Sequence, residues 1–449
     1  MSDCLQQYFR CPEGVLRLTS RQPLSAENGY FQFGRNIACY GKYSTHPTEP
    51  AESPWCNAWP DTEIKNGTVH LPFDLGAVVN NLRFELYVDD WRHEKSFSAL
   101  AELYYLIRPI LPTPIRKHLQ KIYLSGWEDI PFPRWPIDTS VDDLLREVLL
   151  LAIRSGQSDQ IPFIWFWPDG ASSCAIMTHD IEQAAGRDFC ETLMDIDESF
   201  GIRASFQVVP EERYGVKREF LESIRQRGFE VVVHDLNHDG HLYRTKDQFL
   251  KRAGKINAYG KQYGAQGFRA GVLYRKQLWY EALDFAYDMS VPNVAHLDPQ
   301  RGGCCTVMPY FNGKVLELPV TTIQDYSLFH ILNDYSIALW KQQTDLILQK
   351  HGLMSFIVHP DYLIKLQARS IYEKLLSHLL HLSKEKNVWL ATPGEVNRWW
   401  RQRDQMSLAK DDSGWHVSGE GSERARIAYA SEQKGRLNLS FDTADLLRQ

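Results

Sequence analysis

No long apolar run occurs anywhere in this sequence. A helix that crosses a bilayer needs about 18 or more consecutive apolar residues, and the chain contains no such run. Its most apolar helical stretch, at 142–156, is interrupted by Arg146, Glu147 and Arg154, which is typical of a helix docked on a core. The first residues also lack the basic and apolar pattern of a secretion signal. We therefore expect a cytoplasmic protein without an integral membrane segment.

Cysteine and net positive charge are also scarce. The eight cysteines form no CxxC pair and no regular spacing, so neither a disulfide framework nor a cysteine zinc site is expected. Free thiols fit a reducing compartment. The formal net charge of −6 gives no basic excess that would favour nucleic acid as a partner. What remains is an ordinary globular composition, with 43% hydrophobic and 24% charged residues.

The chain divides into four segments that differ in their predicted secondary structure. Residues 1–95 mix short strands and loops in an α+β pattern, and 96–165 form a helical connecting region broken by prolines. Strands and helices alternate over 166–400, and 401–449 indicates a small antiparallel β appendage. Apolar strands separated by helices of ten or more residues predict a parallel sheet, and the number of strands favours closure of this sheet into a barrel. We expect an α/β fold with a deformed (β/α) barrel.

Ionisable residues follow four of the predicted barrel strands. In such folds, chemistry collects at the carboxyl ends of the strands, which meet at one edge of the sheet. The residues found at these ends are His179, Asp180 and Glu182 after CAIMT, His234 and His238 after FEVVV, Arg269 after GF, and His359 after SFIV. We therefore expect one common site.

The stretch VVVHDLNHDGHLYR, at 231–244, is unusually rich in histidine. If a helix begins soon after His234, then His234 and His238 project from one face and can share an ion. A nearby carboxylate would complete a His₂–carboxylate set with open positions. The alternative is a solvated polar loop with incidental histidines. Asp239 and His241 are expected to face solvent or to fix the loop.

Six segments resemble, in order, the NodB-homology polysaccharide deacetylases (carbohydrate esterase family 4). They are MTHDIE, FGIRASFQVV, RGFEVVVHDLNH, GFRAG, YDMSVPN and FIVHP, and the resemblance extends over about 174–395. The resemblance implies a barrel of the NodB-homology type and a hydrolase that removes acetyl groups from a sugar or polysaccharide intermediate. It also implies a divalent metal ion, for which zinc is expected and cobalt or manganese are alternatives. The partner is then an acetylated carbohydrate.

The resemblance also implies roles for the strand-end residues. His234 and His238 would bind the metal, and Asp180 would act as the general base. His359 would be the acid, and Arg269 would hold the carboxylate of the base.

The first and the arginine motifs depart from the family pattern. Many members have two consecutive aspartates where this chain has Asp180, Ile181 and Glu182, so we expect Glu182 to be the third metal ligand. The swapped assignment, with Asp180 on the metal and Glu182 as base, stays open. The arginine motif usually carries a proline, where this chain has Ala270 and Gly271.

Two other functions stay open at this point. One is hydrolysis of a cyclic amide, such as an imide or ureide, within the same superfamily. The other is glycan binding without catalysis, since a fold alone does not imply activity.

Overall fold

The computed structural model of the protein describes residues 2–44, 55–88, 122–156, 158–412 and 414–441. The helices are α1 (Ser2–Phe9), α2 (Leu75–Arg83), α3 (Ser140–Arg154), α4 (Ala184–Ser199), α5 (Arg218–Gln226), α6 (Lys246–Tyr263), α7 (Ala338–Leu348), α8 (Pro360–Leu363), α9 (Leu366–Lys386) and α10 (Pro393–Gln405). The strands are β1 (Leu18–Ser20), β2 (Gly29–Phe33), β3 (Ile37–Gly41), β4 (Cys56–Asn57), β5 (Glu63–Lys65), β6 (Thr68–Leu71), β7 (Gln160–Ile164), β8 (Ser173–Ile181), β9 (Ala204–Val208), β10 (Glu230–His234), β11 (Gly267–Arg269), β12 (Tyr287–Asp288), β13 (Tyr310–Asn312), β14 (Val315–Glu317), β15 (Leu353–Val358), β16 (Val388–Ala391), β17 (Ser407–Asp411), β18 (Gly414–Ser418), β19 (Ile427–Gln433) and β20 (Arg436–Phe441).

The chain forms two compact units. The first comprises Met1–Phe84, Thr139–Ser172 and Arg398–Gln449, and the second comprises Glu85–Asp138 and Ser173–Asn397. Much of the predicted helical connection, at 89–121, lies outside the described residues. That part of the domain division therefore stays a prediction.

The first unit is built from small sheets and helices. Strands β1, β6 and β5 form one sheet, and β3, β2 and β4 form another. The antiparallel strands β19 and β20 extend from β7, while β17 and β18 form a separate hairpin. The expected N-terminal α+β region and C-terminal antiparallel strands are thus confirmed.

A nine-stranded sheet forms the centre of the second unit. Its order is β13-β14-β12-β11-β10-β9-β8-β15, with β16 also paired to β8. Every neighbouring pair is parallel except β13 with β14. Among the described residues no pairing joins the two ends, so the barrel is open. The predicted α/β fold with a deformed barrel is confirmed.

Burial on both faces explains the apolar composition of the central strands. Every residue of β8, β9 and β15 is buried, as is typical of parallel strands covered by helices on both sides. The histidine and carboxylate side chains of these three strands, His179 and Asp180, lie at the carboxyl end of β8. No helix in the described parts of the chain is long and apolar enough to cross a membrane, and all eight cysteines are free.

Candidate active site

Neighbouring parallel strands bring the predicted site residues together. Asp180 is paired in register with Gln207 of β9, and His234 of β10 is paired with Arg269 of β11. On the other side of β8, Val358 of β15 lies opposite His179. The residues that follow these strands therefore meet at one edge of the sheet.

His234 is held in the tautomer that a metal ligand requires. Its Nδ1 lies 3.1 Å from the carbonyl oxygen of Arg269. Because a carbonyl can only accept, Nδ1 carries the proton and Nε2 presents a lone pair. The side chain is 1% exposed, and its Nε2 is buried without a hydrogen-bond partner among the described residues.

His238 lies on a loop, and no helix begins soon after His234. The two histidines therefore do not share a helix face. Asp235 and His238 both have left-handed backbone conformations, with φ of 57° and 54°. The rings of His234 and His238 nevertheless converge, with centroids 4.9 Å apart. The guanidinium of Arg213 donates to the His238 carbonyl oxygen, and its Nη2 lies 3.4 Å from Nδ1 of the same ring.

Glu182 completes a compact group of three potential ligands. Its Oε1 lies 2.9 Å from Nε2 of His238, yet that buried nitrogen makes no hydrogen bond in the described structure. One ligand atom each from Glu182, His234 and His238 lies within 4.8 Å of the other two. Although burial raises the pKa of Glu182, the nearby His238 holds it well below its usual value. The opposing charge also raises the pKa of His238 against the effect of burial.

A buried ion pair lies beside this group. Nη1 of Arg269 is 2.6 Å from Oδ1 of Asp180 and also donates to Thr178. Nε of Arg269 donates to the Met289 carbonyl at 2.9 Å. Burial raises the pKa of Asp180, but Arg269 and His234 outweigh it and hold the pKa below its usual value. Asp180 is therefore ionised, with its Oδ2 3.7 Å from Nε2 of His234.

Asp325 is a site residue to which sequence reasoning assigned no role. Its Oδ1 lies 2.6 Å from Nδ1 of His359, and its Oδ2 accepts the His359 backbone N–H at 2.7 Å. Burial lowers the pKa of His359, but the carboxylate of Asp325 raises it well above the ordinary histidine value. A protonated His359 carries its second proton on Nε2, which lies 3.5 Å from Oε1 of Glu182.

The remaining polar residues near these strand ends have structural partners. His179 is buried and contacts Asp197 through Nε2 at 2.9 Å. Asp239 binds Arg252 through both carboxylate oxygens and accepts the His241 backbone N–H, so it fixes the loop.

Solved structures with a similar arrangement of elements include polysaccharide deacetylases, the family that the motif order resembles. One, from Mycobacterium smegmatis, covers 56% of this chain and 98% of its own at 17% identity and a TM-score of 0.44. Another, from Pseudomonas aeruginosa PAO1, covers 56% and 96% at 13% identity and a TM-score of 0.42. The allantoinase Puue covers 52% and 92% at 12% identity and a TM-score of 0.41.

No protein-family model matches the chain, and no curated protein does so either.

Proposed function

We propose that this protein is a metal-dependent hydrolase that removes acetyl groups from a sugar or polysaccharide intermediate. One observation carries the proposal: Nε2 of His234, buried without a hydrogen-bond partner in the described structure, belongs to a group in which one ligand atom each of Glu182, His234 and His238 lies within 4.8 Å of the other two. An unsatisfied buried polar atom costs about 1–3 kcal/mol, and a ligand bound at Nε2 of His234 would remove that cost. A divalent cation suits two imidazole lone pairs and a carboxylate.

The donor set fits a transition metal. Imidazole suits zinc and cobalt, and two histidines with one carboxylate leave coordination positions open for water and substrate. We therefore assign His234, His238 and Glu182 as ligands, with zinc as the expected metal and cobalt or manganese as alternatives. The chemistry that such an ion supplies when bound is polarisation of a carbonyl and acidification of a water molecule.

The contacts of Asp180 fit the role of general base, with Arg269 as the residue that holds it in place. Asp180 is ionised and can accept a proton from the attacking water through Oδ2, while Arg269 fixes Oδ1. The charge-assisted hydrogen bond from Arg269 keeps the carboxylate from turning away from the reaction centre.

The contacts of His359 fit the role of general acid. Its Nδ1 donates to Asp325, and the proton on Nε2 is available to the departing amine or alcohol. The proposed base and the proposed acid therefore lie beside different ligands: Asp180 is next to His234, and His359 is next to Glu182.

Metal content separates ligands from catalytic residues. We expect about one equivalent of divalent metal in the wild type, and loss of it in Glu182→Gln and in the double variant His234→Ala, His238→Ala. Asp180→Asn should keep its metal and lose hydrolysis of acetylated sugars. If Asp180→Asn loses the metal while Glu182→Gln keeps it, the swapped assignment is correct. Negligible metal in every protein, even after reconstitution, would contradict the proposal.

A substrate panel separates the alternative functions. Acetylated sugars and cyclic ureides should be assayed side by side with the metal-loaded wild type. Turnover of the ureides alone would favour the cyclic amide hydrolase. Tight sugar binding without turnover of either class would favour the glycan-binding reading.

A further inference from the structure

A set of aromatic rings extends outward from His359. The ring of Tyr362 lies 5.0 Å from that of His359 and meets His330 edge to face at 4.9 Å. Tyr326 continues the set, with its ring 5.4 Å from His330 and 6.2 Å from Tyr362. We call Tyr326, His330 and Tyr362 the aromatic wall.

The backbone holds the aromatic wall in a fixed relation to His359. Tyr362 lies on the short helix α8, which begins at Pro360 directly after His359. Tyr326 follows Asp325, the residue that binds His359 by two hydrogen bonds. Both tyrosines of the wall are therefore placed close to His359 by the backbone.

A π-helix carries one member of the wall, His330. This single turn, Ser327–Ile331, buries Ser327, Leu328 and Phe329, whereas Tyr326, His330 and Tyr362 are each partly exposed. Rings that served only the core would be expected to be buried like Phe329. π-helical turns often occur at functional sites, and this one places His330 beside the ring of Tyr362.

The chemistry of the leaving group connects the wall to a sugar, and this step depends on the proposed function. If His359 protonates the departing nitrogen or oxygen, that atom must come within hydrogen-bond reach of Nε2. In a deacetylation the departing atom is attached to the sugar ring, while the acetyl group stays on the other side of the scissile bond. The sugar ring must therefore lie on the His359 side of the site, where the aromatic wall stands.

We propose that Tyr362, with His330 and Tyr326, forms a subsite that binds the pyranose ring of the acetylated substrate next to His359. Aromatic faces pack against the apolar C–H face of a pyranose, and the tyrosine hydroxyls supply polar contacts at the rim. The subsite selects acetylated sugars over acetylated compounds without a ring.

Direct binding tests this subsite without turnover. Calorimetric titration would use Asp180→Asn protein with tetramers of N-acetylglucosamine and of O-acetylated xylose. Added to this background, Tyr362→Leu should weaken binding about 10-fold, and Tyr362→Phe should bind almost as well as the parent because it keeps the ring. Trp389→Leu is the matched control, since Trp389 is a partly exposed aromatic residue at the opposite end of the sheet, paired with Cys174. Its affinity should equal that of the parent.

The outcomes are separable from those of the proposed function. Equal affinity in the parent, Tyr362→Leu and Tyr326→Leu, or no binding of either sugar by the parent, would overturn the subsite. Tyr326→Leu also replaces Tyr362→Leu in the test if the latter does not fold, as judged by circular dichroism. Hydrolysis of 4-nitrophenyl acetate by the wild type tests the chemistry alone, because this ester has no sugar ring. Sugar binding that depends on Tyr362 without any hydrolysis would sustain the subsite and refute the deacetylase.

Discussion

Asp325→Asn tests the proposed acid most directly. The carboxylate accepts two hydrogen bonds from His359, at 2.6 Å from Nδ1 and 2.7 Å from the backbone N–H. An amide of the same shape can accept one of them and turns its NH₂ group toward the other donor. Both residues are buried, so one donor loses its acceptor, and the free energy of unfolding should fall by about 1–3 kcal/mol.

The same substitution removes the main cause of the raised pKa of His359. Burial alone lowers that pKa, and Asp325 is the largest influence in the opposite direction. In Asp325→Asn the imidazole should therefore be neutral near neutral pH, and the proton for the leaving group is lost. A positioned acid contributes about 10²–10⁴-fold to the rate, so we expect kcat to fall by about 10²-fold or more. Metal content should not change, because Asp325 is not among the proposed ligands.

The assay is the pH dependence of kcat on the best acetylated sugar, with metal content measured on the same samples. Asp288→Asn is the matched control, since Asp288 is also buried and binds the backbone N–H and hydroxyl of Ser290. Its catalytic profile should match the wild type. An Asp325→Asn enzyme with unchanged kcat and an unchanged pH profile would refute the assignment of His359 as the acid.

The raised pKa also predicts how stability depends on pH. A histidine whose folded pKa lies above its unfolded value of about 6.5 contributes stability that is complete below that value. The contribution is lost as pH rises through the folded pKa. The difference in unfolding free energy between wild type and Asp325→Asn should therefore shrink as pH rises above about 6.5. A difference that grows with pH in urea unfolding would contradict this coupling.

Three further predictions concern the other buried groups. Arg269→Met should lower the free energy of unfolding by about 3–5 kcal/mol, because Asp180 stays buried without its partner; a loss below about 1 kcal/mol in denaturant titrations would contradict the pair's importance. Asp197→Asn should reduce stability by about 1–3 kcal/mol through its contact with His179, but should leave kcat per folded molecule unchanged, and a lower kcat would place His179 in the catalytic machinery. Metal affinity should decrease as pH falls, because Glu182 raises the pKa of His238 and protons then compete with the metal; an affinity independent of pH in competition with a chelator would exclude His238 as a ligand.

The position of the site residues at strand ends could be predicted from the sequence, because buried strand interiors rarely hold charged side chains. Residues inside β8 and β15 are buried on both faces, so the first ionisable side chains occur where the strands stop. The position of Asp180, Arg269 and His359 at one edge follows from that rule and from parallel pairing alone. The structure brings all of the predicted site residues together, while their roles stay proposals.

The position of His238 and the role of Asp325 could not be read in the same way. A spacing of four residues suits a helix, but here two left-handed residues, Asp235 and His238, turn a loop to the same end. Such conformations cost energy for non-glycine residues, and only the surrounding packing decides that they form. Asp325 lies 34 residues before His359, and no local pattern marks two residues that meet only through the fold.

Gly271 lies directly beside the loop that carries His238. A Cβ atom at this position would lie 2.5 Å from Oδ2 of Asp235 and 3.0 Å from Cδ2 of His238. The first distance is too short for a real contact and the second is unusually tight, so a side chain here would force the Asp235 carboxylate and the His238 ring to shift. The loop that carries His238 therefore packs directly against Gly271. The carboxylate of Asp235 and the ring of His238 occupy the space beside Gly271, so this glycine leaves room for the loop that carries a proposed metal ligand.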